Sequence, residues 1–256
     1  MSHAPQKGGT VALFATCLVD TMRPSAGFAA VRLLEHAGFR VEVPEGQTCC
    51  GQPAFNAGDE KDARDVARRM LDIFAPFDAV VAPSGSCAGM VRRHYPELFA
   101  GTPHEARALA LAEKTFELCE FLHAHDVPPL LRRWEGGPVA WHDSCSLRRE
   151  LGIHEAPRAL LLQIPGLELV ELSDPEACCG FGGLFSVKLP EISVRMATDK
   201  AQDVRDSGAA TLVGPDMGCL MNIAGRMSRL GMDIRVLHVA ELLAGMTGPG
   251  IREDAA

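Results

Sequence analysis

Short apolar segments alternate with longer amphipathic segments in the first half of the chain. Residues 10–15 form an apolar run typical of a buried strand, and residues 39–43 alternate between apolar and polar positions as a half-buried strand does. Apolar residues recur at helical spacing over residues 24–37 and again over residues 59–74. Residues 79–82 form a further short apolar strand. The pattern therefore predicts strands connected by helices.

The second half of the chain repeats this order. Residues 138–141, 167–172, 209–213 and 234–237 each have the length and composition of a strand. Strands that alternate with helices favour right-handed crossovers and mostly parallel sheets. Ligands of such sheets bind at the carboxyl ends of the strands. The residues that follow each strand are therefore the first candidates for a functional site.

A helical pattern over residues 103–125 connects the two halves. Thr102 is the predicted N-cap of this helix, Pro103 takes the first helical position, and Glu105 completes a capping box. The sequence Gly136-Gly137-Pro138 comes after this helix and interrupts both periodicities, so we place the domain boundary there.

The cysteines are repeated in register, which indicates an internal duplication. Each half contains a lone cysteine, a Cys-Cys-Gly turn and a second lone cysteine, and equivalent positions are 128 residues (17 to 145), 129 residues (49 to 178) and 132 residues (87 to 219) apart. We predict two similar α/β domains, each with a mostly parallel sheet and cysteine ligands at strand C-terminal ends. The first is residues 1–135, including the connecting helix, and the second is residues 136–256. The eight repeated cysteines are Cys17, Cys49, Cys50, Cys87, Cys145, Cys178, Cys179 and Cys219.

These cysteines are candidate metal ligands. Thiolate sulfur suits zinc and iron–sulfur clusters, four such ligands are the usual complement of one site, and each half offers four. A single Cys-Cys pair would favour a strained disulfide or two buried small residues, but two pairs in register favour metal. The glycine after each pair tolerates positive φ, so a tight turn can direct both sulfur atoms inward. Free backbone N–H groups in these turns could donate to the sulfur atoms of a cluster.

Composition narrows the classes of function. The net charge is −8, no Lys/Arg-rich run is present, and there are only one Tyr and two Trp, so nucleic-acid binding has little support. No apolar run is long enough to span a bilayer, and the N-terminal residues 1–7 lack the apolar core of a signal peptide. We therefore expect a cytoplasmic protein without a transmembrane segment. Thiols stay reduced in that compartment, where clustered cysteines more often indicate metal or redox chemistry than disulfides.

Two further residues are expected to be structural. Cys119 has no partner in the repeat and lies among apolar residues of the connecting helix, which is typical of a packed core thiol. His238 follows the strand at residues 234–237, and we interpret it as a helix-start or core histidine.

Several charged residues near the second set of cysteines could take part in chemistry. His142 and Asp143 precede Cys145 and could donate to a cluster or move a proton, although the repeat has Ala15 and Thr16 near that position, so we leave His142 out of the duplicated ligand set. The others are Arg148, Arg149 and Lys188, which could offset cluster charge or bind a carboxylate but fit a solvated surface equally well.

The cysteine motifs resemble a known family. The segments are Ala15–Asp20, Pro44–Ala54, Pro83–Cys87, Cys178–Gly183 and Gly218–Ile223. They are similar to the cysteine-rich CCG domain of heterodisulfide reductases and of glycolate oxidase iron–sulfur subunits, and most similar to the lactate-utilization protein A family. This resemblance implies a cytoplasmic iron–sulfur protein that oxidises L-lactate, a 2-hydroxy acid, to pyruvate with partner proteins, including a ferredoxin-type iron–sulfur protein. It also implies that the eight repeated cysteines bind iron–sulfur clusters of the 4Fe–4S type.

The chain departs from the heterodisulfide reductase pattern at two positions. Those relatives have a fifth cysteine in each half, where this chain has Ser84 and Asp216. An oxygen of either residue could complete an iron site, although Asp216 after Pro215 is also typical of a turn. The missing thiolates favour electron transfer over a cluster-dependent thiol–disulfide reductase, which stays an alternative. A zinc-binding structural or assembly subunit is the other alternative.

The chain lacks motifs that would make it a self-sufficient dehydrogenase. No Gly-x-Gly-x-x-Gly follows a strand, and no ferredoxin-type Cys-x-x-Cys-x-x-Cys run is present. Electrons from a hydroxy acid must therefore enter or leave through another subunit. We expect an oxidoreductase subunit that is active only with its partners.

Overall fold

A computed structural model describes residues 7–252. The expectation about the N-terminal segment falls mainly on residues 1–6, which lie outside the described residues, as do residues 253–256. The chain divides into two compact units, the first ending at Val127 and the second beginning at Pro128. The sequence-based boundary between residues 135 and 136 lies a few residues later, inside the second unit.

The first unit contains four strands and eight helices among its described residues. The strands are β1 (Thr10–Leu13), β2 (Arg40–Glu42), β3 (Ala79–Ala82) and β4 (Thr115–Glu117). The helices are α1 (Cys17–Met22), α2 (Pro24–His36), α3 (Gln52–Asn56), α4 (Glu60–Phe74), α5 (Gly85–Gly89), α6 (Tyr95–Phe99), α7 (Glu105–Glu113) and α8 (Leu118–Ala124). A π-helical turn, Met90–His94, joins α5 to α6.

The second unit has the same strand arrangement and fewer helices. Its strands are β5 (Val139–Trp141), β6 (Leu169–Val170), β7 (Thr211–Gly214) and β8 (Arg235–His238). Its helices are α9 (Glu155–Leu161), α10 (Phe185–Lys188), α11 (Pro190–Asp206), α12 (Met217–Arg229) and α13 (Val239–Leu243). A π-helical turn, Ser146–Glu150, directly follows Cys145.

Each unit is built on a parallel four-stranded sheet, and the two sheets have the same topology. The strand orders are β2-β1-β3-β4 and β6-β5-β7-β8. Every pairing is parallel, with Val11 opposite Ala79 in the first sheet and Val139 opposite Thr211 in the second. All four residues of β3 and of β7 are buried, as expected of central strands covered by helices on both faces. The predicted fold class, two duplicated α/β domains with mostly parallel sheets, is confirmed.

The helices that cover the sheets have the expected amphipathic pattern. In α4, the residues Ala63, Ala67, Met70, Leu71 and Phe74 are buried and follow one face, while the remaining positions are largely charged. The side chain of Asp59 accepts a hydrogen bond from the backbone N–H of Asp62 at 3.1 Å and so caps the first turn.

The predicted single helix over residues 103–125 is wrong. The structure has α7, then β4, then α8 in this segment, and α7 begins at Glu105 with His104 as its N-cap residue rather than Thr102. The carboxylate of Glu105 still accepts a hydrogen bond, from the N–H of Gly101 at 2.9 Å. The helix is interrupted because β3 needs a partner along its open edge, which β4 provides. Local helix propensity is weaker than this tertiary requirement.

The packing of α8 against the first sheet can be tested by truncating Phe121. Its ring is fully buried and contacts the rings of Phe39, Phe116 and His125. We expect Phe121→Ala to lower the free energy of unfolding by about 3–5 kcal/mol, because a large buried ring leaves a cavity. The matched control is Phe28→Ala, whose ring is 66% exposed and whose removal should change stability by less than about 0.5 kcal/mol. Equal effects of the two substitutions in urea denaturation would contradict this packing.

Candidate metal centres

The repeated cysteines lie beyond the carboxyl ends of three strands in each unit. In the first unit, Cys17 begins α1 after β1, Cys49 and Cys50 lie in the loop after β2, and Cys87 lies in α5 after β3. The second unit repeats this arrangement after β5, β6 and β7. Because these three strands are neighbours in each sheet, residues far apart in sequence come together at one edge. All are free thiols, and the second cysteine of each Cys-Cys pair is almost fully buried.

The four sulfur atoms of each unit contact one another in sequence. In the first unit, thiol hydrogen bonds join Cys17 to Cys49, Cys49 to Cys50, and Cys50 to Cys87. The equivalent contacts join the four cysteines of the second unit, where the sulfur atoms of Cys179 and Cys219 are 2.9 Å apart. The structure therefore brings together all four predicted ligands within each unit.

These contacts allow one thiolate per site and oppose the others. Hydrogen bonds from the neighbouring thiols lower the pKa of Cys49 and the pKa of Cys178, each to about 2. The same hydrogen bonds, with burial, raise the pKa of Cys17 and the pKa of Cys145. Four thiolates this close together in a buried site repel one another and need a cation to be stable. The donor set therefore fits a thiophilic metal ion or an iron–sulfur cluster.

The glycine after each cysteine pair shapes the turn that holds it. Gly51 and Gly180 have φ of 89° and 80°, which confirms the predicted left-handed conformation. The N–H of Gly51 donates to the sulfur of Cys49 at 3.5 Å, and the N–H of Gly180 donates to the sulfur of Cys178 at 3.4 Å. Phe181 adds an N–H bond to the sulfur of Cys179 at 3.4 Å. Such bonds stabilise negative charge on sulfur.

Side chains from neighbouring helices fix the carbonyl group of the second cysteine in each pair. The hydroxyl of Tyr95, which is fully buried, donates to the carbonyl oxygen of Cys50 at 2.8 Å. In the second unit, the amide of Asn222 donates to the carbonyl oxygen of Cys179 at 2.9 Å. Different residue types thus hold the same backbone group in the two units.

Ser84 and Asp216 both occupy the N-cap position of the helix that carries the last cysteine of its unit. The hydroxyl of Ser84 accepts a hydrogen bond from the N–H of Cys87 at 3.3 Å and caps α5. Asp216 is buried at the start of α12 but makes no side-chain capping bond. His238 supports this turn, because its Nε2 contacts the carbonyl oxygen of Pro215 at 2.8 Å while its Nδ1 accepts from the N–H of Ala240. The expected structural role of His238 is confirmed.

Asp143 is the centre of a buried ion-pair network rather than a free acid. Arg158 donates to both of its carboxylate oxygens, at 3.1 and 2.7 Å, and Trp141 and Arg148 donate to it as well. Burial alone would raise the pKa of Asp143, but these bonds hold it below its ordinary value. Asp143 therefore stays ionised and anchors α9 and the π-helical turn. Sequence reasoning missed Arg158, whose only signal is its helical spacing from this acid.

The two arginines predicted as candidates brace the loop before the second cysteine pair. Arg148 pairs with the carboxylate of Glu176 at 3.5 Å, and Arg149 donates to the carbonyl oxygen of Glu176 at 2.7 Å. Lys188 lies at the end of α10 and is exposed. Cys119 is fully buried in α8, burial raises the pKa of its thiol, and its expected place in the core is confirmed.

His142 lies against the cysteines of the second unit, and Phe14 takes its place in the first. The sequence repeat sets Ala15 and Thr16 opposite this segment, but the backbone alignment puts Phe14 opposite His142, since each lies three residues before the first cysteine. Burial lowers the pKa of His142 to about 4, so its ring is neutral near pH 7.

A buried lysine also distinguishes the second unit. Lys200 has no exposed side-chain surface, and its Nζ donates to the carbonyl oxygen of Asp174 at 2.7 Å. In the first unit the equivalent place is taken by Met70, counting along the helices from Ala63 and Ser193, which each face the glycine of the Cys-Cys-Gly turn. The surroundings of the cysteines are thus apolar in the first unit and charged in the second.

The helices were also compared with the length and apolarity that a membrane span requires. Over residues 7–252, none meets both conditions.

Comparisons with known proteins agree with this arrangement. The chain matches the family profile of the cysteine-rich CCG domain twice, at residues 11–92 and 139–224. It is 48% identical to Lactate utilization protein A of Geobacillus kaustophilus over 238 residues, which cover 91% of this chain and 98% of that protein. It is 47% identical over the same length to the protein of that name from Bacillus pumilus, with the same coverage of both chains.

A solved structure has a similar fold. The crystal structure of a hypothetical protein from Helicobacter pylori matches with a TM-score of 0.65 at 14% sequence identity, covering 99% of this chain and 53% of that one. At this identity the similarity supports the fold alone.

The close packing at the Cys-Cys-Gly turn can be tested with two glycine substitutions. A Cβ on Gly180 would lie 2.8 Å from the carbonyl oxygen of Ser193, whereas Gly208 has a similar φ of 77° with nothing within 4 Å. We expect Gly180→Ala to lower the free energy of unfolding by about 1–3 kcal/mol more than Gly208→Ala, because only the former is overpacked. Chemical denaturation measures the difference. Equal losses would mean that backbone strain alone, and not the contact with α11, makes glycine necessary here.

Proposed function

This chain belongs to the lactate utilization protein A family, and from that premise we propose that it is the iron–sulfur subunit of a cytoplasmic multi-protein system that oxidises L-lactate to pyruvate. The eight repeated cysteines hold its clusters, four in each unit, and the clusters are of the 4Fe–4S type. The role in lactate use follows from the names of the relatives and from the CCG domain. The observation that carries the iron–sulfur assignment is the matched set of four contacting thiols in each unit.

The protein supplies two things to such a centre. The cysteines provide thiolate ligands, and the N–H groups of Gly51, Gly180 and Phe181 donate to the sulfur atoms. When bound, an iron–sulfur cluster accepts and releases single electrons. Hydrogen bonds to its sulfur ligands and the degree of burial tune the potential at which it does so, and both are set by the turns after the strands.

The proposal includes partner proteins because lactate oxidation releases two electrons and the chain has no motif for a hydride acceptor. Its sequence contains no dinucleotide-binding glycine pattern and no ferredoxin-type cysteine run. A separate subunit must therefore take the electrons from the substrate or pass them on. We infer that one partner is a ferredoxin-type iron–sulfur protein, in line with the family resemblance.

The alternative of a thiol–disulfide reductase has less support. Ser84 stands where heterodisulfide reductases have a fifth cysteine, and its hydroxyl is used to cap α5. Asp216 takes the corresponding place in the second unit. Neither side chain can form a mixed disulfide, so the thiolate that would attack a substrate disulfide is missing from both sites.

Cysteine substitutions test the ligand assignment. After anaerobic reconstitution with iron and sulfide, Cys179→Ser should abolish the visible absorption of the second unit's centre only, leaving about half of the wild-type absorption, because each unit uses its own four thiolates. The same variant should lose lactate-dependent electron transfer in the system reconstituted with its partners.

The matched control is Cys119→Ser, which changes a buried thiol outside both sites. It should leave the absorption and the iron content unchanged. Loss of both centres in Cys119→Ser, or full absorption in Cys179→Ser, would contradict the assignment. A colourless protein that binds zinc and no iron would instead support a structural or assembly subunit.

A further inference from the structure

The residue in front of the first cysteine differs in chemistry between two otherwise equivalent places. The backbone N–H of Phe14 donates to the carbonyl oxygen of Val81 at 2.9 Å, and the N–H of His142 donates to that of Val213 at 2.8 Å. Both side chains are fully buried. One unit therefore places a phenyl ring beside its cysteines, and the other places an imidazole ring in the same position.

The burial of His142 has no explanation in hydrogen bonding. Neither ring nitrogen has a hydrogen-bond partner within the part of the chain that the structure describes. Leaving a buried polar group unsatisfied costs about 1–3 kcal/mol. The other fully buried histidine, His238, uses both of its ring nitrogens. A further partner, absent from the protein itself, is therefore needed for His142.

Two cysteine sulfur atoms lie where that partner would bind. A ring nitrogen of His142 and the sulfur atoms of Cys179 and Cys219 all lie within 4.8 Å of one another. In metal sites the metal–nitrogen distance is about 2.0–2.1 Å and the metal–sulfur distance about 2.3 Å, so ligand atoms on one ion are roughly 3.5–4 Å apart. One metal ion can reach all three atoms with small side-chain adjustments.

The electrostatic surroundings favour the ligand form of the ring. Lys200, Asp143 and Asp216 are the charged groups that act on His142, together with the sulfur of Cys178. Asp143 is already bound by Arg158, and Lys200 by the carbonyl oxygen of Asp174. The imidazole is therefore left to the metal centre rather than held by an ion pair.

We propose that His142 is a nitrogen ligand of the metal centre in the second unit, and that the first unit, with Phe14 in the same place, binds its centre through thiolates alone. This inference rests on the proposed metal centres. It makes the two centres chemically different although their cysteines are equivalent. An imidazole ligand is neutral whereas a thiolate is anionic, so the two centres have different spectra and reduction potentials.

Isotope labelling of histidine tests the ligand directly. The protein is produced with ¹⁵N-histidine in an otherwise ¹⁴N background, in a Cys50→Ser variant that keeps only the second unit's centre intact. It is reconstituted anaerobically with iron and sulfide, reduced with dithionite and examined by pulsed electron paramagnetic resonance. We expect a nitrogen hyperfine coupling that changes with the histidine label. His142→Phe, which introduces the residue of the first unit, should abolish it.

The control is the labelled Cys179→Ser variant, which keeps only the first unit's centre and should show no label-dependent coupling. Iron binding without such coupling in Cys50→Ser, or coupling that persists in His142→Phe, would overturn the ligand assignment and leave the proposed function intact. Failure of the wild-type protein to bind iron would instead refute the proposed function. If His142→Phe does not fold, the labelled Cys50→Ser protein still decides, because it retains His142.

Discussion

The central constraint on this structure is the repulsion among thiolates that are held close together and out of water. Each unit brings four cysteine sulfur atoms into contact, and their mutual hydrogen bonds allow one of them to ionise easily while raising the pKa of its neighbours. A bound cation removes this conflict, because it stabilises all four thiolates at once. The sheet, the glycine turns and the capped helix starts all bring the cysteines to one edge, and this arrangement is useful only if a metal centre is bound there.

Duplication has preserved the frame and changed its surroundings. The strand order, the cysteine positions and the positive φ of the glycine are the same in both units. The first unit packs Phe14 and Met70 behind its cysteines, whereas the second has His142 and Lys200 there. Apolar and charged surroundings stabilise different charge states of a metal centre. Two sites with one ligand pattern can therefore take different roles in the same electron path.

The sequence predicts the ligand frame well because its signals are local. The apolar runs, the repeated cysteines and the glycine after each pair lie within a few residues of the features that they determine. The strand Thr115–Glu117 could not be predicted in this way, because helix-forming residues surround it and its pairing with β3 is a long-range requirement. The Asp143–Arg158 pair and the burial of Lys200 likewise depend on contacts between distant segments. A position-by-position comparison of the two halves would have found the exchange of Phe14 for His142.

The most direct measurement of the central claim is the iron and acid-labile sulfide content of the anaerobically purified, reconstituted protein. We expect iron and sulfide in equal amounts, with about four of each per unit if both sites hold 4Fe–4S clusters. A protein that binds less than about one iron per chain under these conditions would contradict the claim, whatever its activity. Zinc in place of iron at both sites would preserve the thiolate frame but refute electron transfer as its purpose.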